Sequence, residues 1–298
     1  MPIVEEILKL KRDKIALILA HYYTDSSIRE VADYVGDSYL MSKTAADSPC
    51  SLIICCGVSF MGESVKLLCP DKTVLMPDIT SDCPMAHMVK KESINKARQD
   101  YPDLAVVCYI NSTAEIKSWS DVCVTSANAV KIVSKLPNKN ILFIPDKNLG
   151  AYVAEQIPDK NFIPSSGFCP VHESMSQNAE KLIAAHPAAK VLVHPECNKR
   201  LRDKADYIGS TSGIIDFASK SEASEFIIAT ETGIKYELKK NNPEKTFYFI
   251  ENAICRDMKK ITLQKIYDIL LTGNNEVFID KELQASAAKT LDRMLLLA

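Results

Sequence analysis

Three of the ten cysteines in this 298-residue chain, Cys83, Cys169 and Cys255, recur at an interval of 86 residues. Thiolates converging from repeated positions are ligands for iron–sulfur clusters and soft metals. A 4Fe–4S cube ordinarily takes one thiolate per iron, so three would leave one iron free to act on a substrate as a Lewis acid. Two readings compete with this one: a zinc ion on the same three cysteines plus water, and three core cysteines at symmetric positions. Cys-x-x-Cys is absent, which removes the usual signature of zinc ribbons and thioredoxin-like sites. Cys55, Cys56 and Cys108 lie inside apolar runs and read as core, and Cys50, Cys69 and Cys123 have no polar constellation beside them.

A second group of candidates stands where apolar runs end. His21 and Tyr23 follow Ile-Ala-Leu-Ile-Leu-Ala, Tyr109 and Asn111 follow Leu-Ala-Val-Val-Cys, and His194 and Glu196 follow Lys-Val-Leu-Val. Imidazoles bind anions or move protons near neutral pH. Glu196, two residues from His194, is placed for acid–base work, and the Tyr23 and Tyr109 phenols for donating a proton or positioning a substrate. Ser38, Ser126 and Thr211 precede helix-like segments, where free N–H groups and the helix dipole favour phosphate or carboxylate. Capping the helix is the competing use of the same residue types. His87, His172 and His186 read as surface or supporting residues. Gly-x-Gly-x-x-Gly and Walker-type loops are missing, which argues against a nucleotide cofactor.

The elements that must position these groups follow an internal repeat. Ala32-Asp33-Tyr34-Val35-Gly36-Asp37-Ser38 is nearly repeated as Ala205-Asp206-Tyr207-Ile208-Gly209-Ser210-Thr211. A diverged middle copy runs Ser120-Asp121-Val122-Cys123-Val124-Thr125-Ser126. Each unit carries three apolar runs of strand length alternating with helix-period segments such as 128–135 and 178–185, a pattern that predicts a parallel sheet covered on both faces. The expected fold is α/β: three pseudo-threefold-related three-layer α/β/α domains, their parallel sheets around a central iron–sulfur site. The units are expected at 1–82, 83–168 and 169–257, with 258–298 packing back on the first.

Hydrophobic residues make up 47% of the chain and charged residues 25%, and the formal net charge is −2. That balance offers no basic field for nucleic acid. No apolar run reaches the roughly 20 residues needed to span a bilayer, and acids stand where a signal peptide needs positive charge. The expectation is a cytoplasmic protein, off the membrane, whose cysteines are not a disulfide framework.

The residues taken together resemble the quinolinate synthase family of NAD biosynthesis over essentially the whole chain. The resemblance is carried by Ala20-His21-Tyr22-Tyr23, Gly36-Asp37-Ser38, Cys83-Pro84-Met85-Ala86, Tyr109-Ile110-Asn111-Ser112 and Thr125-Ser126-Ala127-Asn128. It continues through Pro145-Asp146-Lys147-Asn148-Leu149-Gly150, Cys169-Pro170-Val171-His172, His194-Pro195-Glu196-Cys197 and Gly209-Ser210-Thr211. It implies a triangular three-domain enzyme with a central 4Fe–4S cluster that condenses iminoaspartate with dihydroxyacetone phosphate to quinolinate, phosphate and water. It further implies that His21, Ser38, Tyr109, Asn111, Ser126, His194 and Thr211 hold carboxylates and phosphate. Tyr23 and Glu196, helped by His194, would transfer protons. Transient contact with the enzyme that supplies iminoaspartate is expected as well. Cys255 is followed by Arg256-Asp257-Met258, which departs from family members that carry closely spaced cysteines at this point. Another open-iron hydro-lyase and a non-catalytic iron or redox sensor are the alternative functions; a sensor would need an output surface or appended domain.

Overall fold

Twelve strands in the computed structural model, which describes residues 2–298, form three separate four-stranded sheets. The first contains β1 (Ala16–His21), β2 (Tyr34–Gly36), β3 (Leu52–Cys56) and β4 (Thr73–Leu75). The second contains β5 (Leu104–Tyr109), β6 (Val122–Val124), β7 (Asn140–Ile144) and β8 (Asn161–Ile163). The third contains β9 (Lys190–Val193), β10 (Tyr207–Ile208), β11 (Glu225–Ala229) and β12 (Thr246–Phe249). All pairings are parallel, and the order is the same three times: β2-β1-β3-β4, β6-β5-β7-β8 and β10-β9-β11-β12. The protein is α/β with three parallel sheets.

Strand alternation sends successive side chains to opposite faces, and both faces are covered by helices. In the first sheet, Ala16, Ile18 and Ala20 pack with Val4 and Ile7 of helix Pro2–Asp13 and with Ile266, Ile269 and Leu270 of helix Leu263–Thr272. Leu19, Ile53 and Cys55 go the other way, against Met41, Phe60 and Val65. The third sheet divides likewise. Val191, Val193, Ile227 and Ala229 meet Met175, Ala179 and Leu201 on one face, while Leu192, Phe226 and Ile228 meet Ile214, Ala218 and Leu238 on the other. Burial on both sides is why these strands read as continuous apolar runs without alternation.

Each sheet has one strand more than the apolar runs predict. β2, β6 and β10 are only two or three residues long and include Tyr, Gly and Cys, too short for a periodicity to register. They hold the repeated aspartate motif, and its carboxylates have a structural duty. Asp33, Asp121 and Asp206 each accept a hydrogen bond from a backbone N–H near the start of the neighbouring strand, on Ile18 (2.8 Å), Val106 (2.7 Å) and Val191 (2.8 Å). Each is also met by a cation, Lys11, Arg98 and Lys190 respectively.

The expectation that all of 258–298 packs on the first unit is corrected. Helix Leu263–Thr272 lies against helix Pro2–Asp13, but helix Lys281–Leu297 covers elements of the second sheet, β6 and the short helix Ala114–Ser118, and touches helix Ser59–Leu68. The reason is its apolar stripe. Ala287, Thr290, Leu291 and Met294 are buried on one face at helical spacing, and five residues of helix 114–118 are too few to cover that side alone. Thr290 Oγ1 lies 3.1 Å from Cys123 Sγ, and Arg293 donates to the Asp121 carbonyl at 3.2 Å. Leu291→Ala is expected to cost about 2–5 kcal/mol. A lowered denaturant midpoint at unchanged slope is the measurement that checks it.

Candidate active site

A cavity opens where the carboxyl ends of the three sheets meet, lined by residues from all three units. All nine non-cysteine candidates line it, three from each unit: His21, Tyr23 and Ser38, then Tyr109, Asn111 and Ser126, then His194, Glu196 and Thr211. So do Cys83, Cys169 and Cys255. The strand ends explain why. β1 and β5 finish at His21 and Tyr109, β9 finishes one residue before His194, and Tyr23, Asn111 and Glu196 stand two residues further on in each copy.

The two histidines share one arrangement. The backbone N–H of Tyr23 points at His21 Nδ1 (3.2 Å), and that of Glu196 at His194 Nδ1 (3.4 Å). A backbone N–H can only donate, so Nδ1 accepts and the ring proton of a neutral imidazole sits on Nε2, the His194 Nε2 being 3.2 Å from Ser126 Oγ. Burial lowers both imidazoles to about 3, so they are neutral near pH 7.

The helix starts divide their labour. Asp37 caps helix Ser38–Asp47 by accepting from Leu40 N, and Ser210 caps helix Thr211–Lys220 by accepting from Gly213 N. The caps are thus the preceding residues, and Ser38 and Thr211 are left in the first helical position with hydroxyls free for other work. In the middle copy Asn128 Oδ1 accepts from Thr125 N at 2.7 Å, and Ser126 lies in the turn before the helix.

One histidine was undervalued by its sequence context. His87 is exposed beside Asp82 and His186 stacks on Tyr248, but His172 is buried in the site. Its Nδ1 is 2.7 Å from Glu196 Oε2 and 3.2 Å from Cys169 Sγ, and its Nε2 is 3.0 Å from Thr230 Oγ1. Thr230 Oγ1 is in turn 2.9 Å from the Tyr23 hydroxyl, which is 2.8 Å from Thr211 Oγ1. A continuous hydrogen-bonded chain therefore joins Glu196 to Tyr23 through His172 and Thr230. The signal available for His172 was its place three residues after Cys169 in one helical turn. Thr230, at the end of β11, offered none.

Electrostatics separates the two ends of that chain. Burial alone would raise the Glu196 carboxyl, but the His172 and His194 imidazoles and the Tyr109 phenol outweigh it and hold Glu196 down to about 2. Glu196 is a carboxylate at neutral pH. Burial pushes the Tyr23 and Tyr109 phenols well above their usual range, so both remain protonated donors.

The cysteines stand at repeated turns. Cys83 and Cys169 each precede a proline that opens a short helical turn, Pro84–His87 and Pro170–Glu173. A carboxylate accepts from each cysteine N–H: Asp82 for Cys83 (2.7 Å), Asp146 for Cys169 (3.1 Å) and Glu231 for Cys255 (3.2 Å). Asp146 and Glu231 are fully buried at the ends of the third strand runs and were not singled out from sequence. Burial raises both carboxyls, as it raises the three thiols, Cys83 to about 12.

The donor spacing tests which metal group would fit. Four-coordinate zinc with Zn–S near 2.3 Å would need its sulfurs only about 3.8 Å apart. Among the described residues, the one group of three His, Cys, Asp or Glu donors within 4.8 Å of one another is Cys169, His172 and Glu196. The three sulfurs therefore line one cavity without closing on a single ion, which suits a larger body such as a cluster.

A family model described as quinolinate synthetase A protein matches residues 5–296. Quinolinate synthase of Clostridioides difficile strain 630 is 51% identical over 297 residues, covering 98% of this chain and 97% of that protein. Quinolinate synthase of Fusobacterium nucleatum subsp. nucleatum is 51% identical over 295 residues, covering 99% of both. That of Caldicellulosiruptor bescii is 49% identical over 292 residues, covering 97% and 96%. A search of solved structures finds the E-1-hydroxy-2-methyl-but-2-enyl-4-diphosphate reductase from Plasmodium falciparum at a TM-score of 0.35 and 16% identity, covering 91% of this chain and 94% of that one. That likeness is too weak to bear on the fold. With a whole-length family match and relatives at half identity, the chain belongs to the quinolinate synthase family of enzymes.

Proposed function

We propose that this chain condenses iminoaspartate with dihydroxyacetone phosphate to quinolinate, releasing phosphate and water, with a 4Fe–4S cluster on Cys83, Cys169 and Cys255. The observation that carries this reading is the convergence of three repeat-equivalent thiols and three repeat-equivalent pairs of strand-end residues on one cavity. The sequence of bond changes is redox-neutral overall, so the cluster would supply Lewis-acid polarisation at an iron left without a protein thiolate.

The chain's own residues do the rest. The Nε2–H groups of His21 and His194, the hydroxyls of Ser38 and Ser126, and the N–H groups at the helix starts offer donors to phosphate and carboxylate oxygens. Tyr109, Asn111 and Thr211 complete the rim that orients the carbon skeleton. Glu196 is ionised and takes a proton; Tyr23 is protonated and gives one. The path through His172 and Thr230 lets the two exchange that proton after a turnover. The substrates are small anions and neither nucleic acid nor membrane is a partner. Iminoaspartate hydrolyses readily, so the enzyme that makes it hands it over in transient contact, in the cytoplasm.

The test is anaerobic. Protein purified without oxygen should be brown and should form quinolinate from the two substrates. A brown protein that forms none would reject the reaction, and a chain that stays colourless when iron and sulfide are supplied after chelator treatment would reject the cluster.

A further inference from the structure

Cys169, His172 and Glu196 bring a thiol, an imidazole and a carboxylate to one point, all donors within 4.8 Å of one another. Zinc and related ions accept thiolate, imidazole and carboxylate ligands alike. The supporting shell is also present. A metal-bound histidine nearly always gives its second ring N–H to an acceptor, and His172 Nε2 has Thr230 Oγ1 at 3.0 Å. Glu196 Oε1 is buried with no hydrogen-bond partner, although Oε2 is 2.7 Å from His172 Nδ1. Cys169 and His172 share one helical turn, so their separation is set by backbone geometry.

We propose that these three residues form a mononuclear site for Zn²⁺ or a similar divalent ion, filled in the chain before its cluster is inserted. A tetrahedral centre needs about 3.3 Å between N and O donors and about 3.6 Å between N and S donors. The observed 2.7 and 3.2 Å require the side chains to open by about half an ångström. The fourth position faces the cavity and takes water or a substrate carboxylate. Because the ion and the cluster need the same Cys169 thiolate, each excludes the other. The inference concerns the cluster-free chain and stands apart from the reaction proposed above.

The full chain, stripped of iron anaerobically with a chelator, is titrated with Co²⁺ alone. One equivalent should bind, giving a near-ultraviolet thiolate-to-cobalt band and the visible bands of a tetrahedral ion. Cys83→Ser and Cys255→Ser should bind Co²⁺ as the parent does. Cys169→Ser should lose the thiolate band, and His172→Asn and Glu196→Gln should each weaken binding more than about tenfold, with Thr230→Val weakening it about 10–100-fold. Circular dichroism matching the parent's separates a lost ligand from a lost fold; should His172→Asn misfold, Thr230→Val carries the test. Full affinity in His172→Asn, or in Thr230→Val in that case, would overturn the site. So would a loss in Cys83→Ser or Cys255→Ser as steep as in Cys169→Ser, which would put the ion on the three thiols. One equivalent of Zn²⁺ should also block cluster assembly from iron and sulfide until a chelator removes it. Unimpeded assembly in its presence would overturn the exclusion.

Discussion

Replacing any one of Cys83, Cys169 or Cys255 with serine is expected to abolish both the cluster absorbance and quinolinate formation, whereas Cys197→Ser keeps both. Cys197 directly follows Glu196 in the sequence, but its surroundings differ from those of the other three thiols. Cys197 is fully buried among Val193, Leu201 and Ala229, with its Sγ 3.5 Å from the Ala229 carbonyl, and it does not line the cavity. The other three line it, each at a turn whose cysteine N–H is held by a carboxylate. A serine hydroxyl is a poor ligand for iron, and two thiolates from two units cannot hold a cube that needs three. Iron and sulfide analysis of anaerobically purified variants checks this directly. A full cluster in any of the three would contradict the ligand assignment, and a cluster lost from Cys197→Ser would show that the spacing of 86 residues had selected the wrong set.

Glu196→Gln is expected to lower kcat by about 10²–10⁴-fold, the range for losing a general acid–base group, while leaving the cluster spectrum as it was. Glutamine keeps the size of the side chain and an oxygen for His172 Nδ1, so the loss is that of a proton acceptor held at about 2 by its neighbours. Tyr23→Phe attacks the other end of the same chain. It leaves the buried Thr211 hydroxyl without its phenol partner, at a cost of about 1–3 kcal/mol for a buried group left unsatisfied, while Thr230 keeps its bond to His172. Steady-state kinetics together with absorbance separates these effects: a wild-type rate in Glu196→Gln removes its proposed role, and a bleached variant shows that the carboxylate supports the cluster instead.

The repeated plan of this protein can be read directly from its residues. The 86-residue interval, the apolar runs and the strand-end pairs His21/Tyr23, Tyr109/Asn111 and His194/Glu196 are local patterns, each legible within a few residues and then again one unit later. Parallel sheets then dictate that such residues gather at the carboxyl ends of strands, so the cavity follows from the pattern. Relations between positions far apart emerge only when the chain is packed. The bond from His172 to Thr230 spans 58 residues, and that from Thr230 to Tyr23 spans 207. Neither leaves a trace in periodicity or composition, because a hydroxyl at a strand end looks the same whether it meets water or a buried imidazole. Asp146 and Glu231 were hidden for the same reason, their partners being backbone N–H groups of Cys169 and Cys255 on later turns. The final helix shows the limit from the other side. Its apolar stripe announced that it would be buried, but only the packed chain shows that β6 and helix 114–118 are what it buries against.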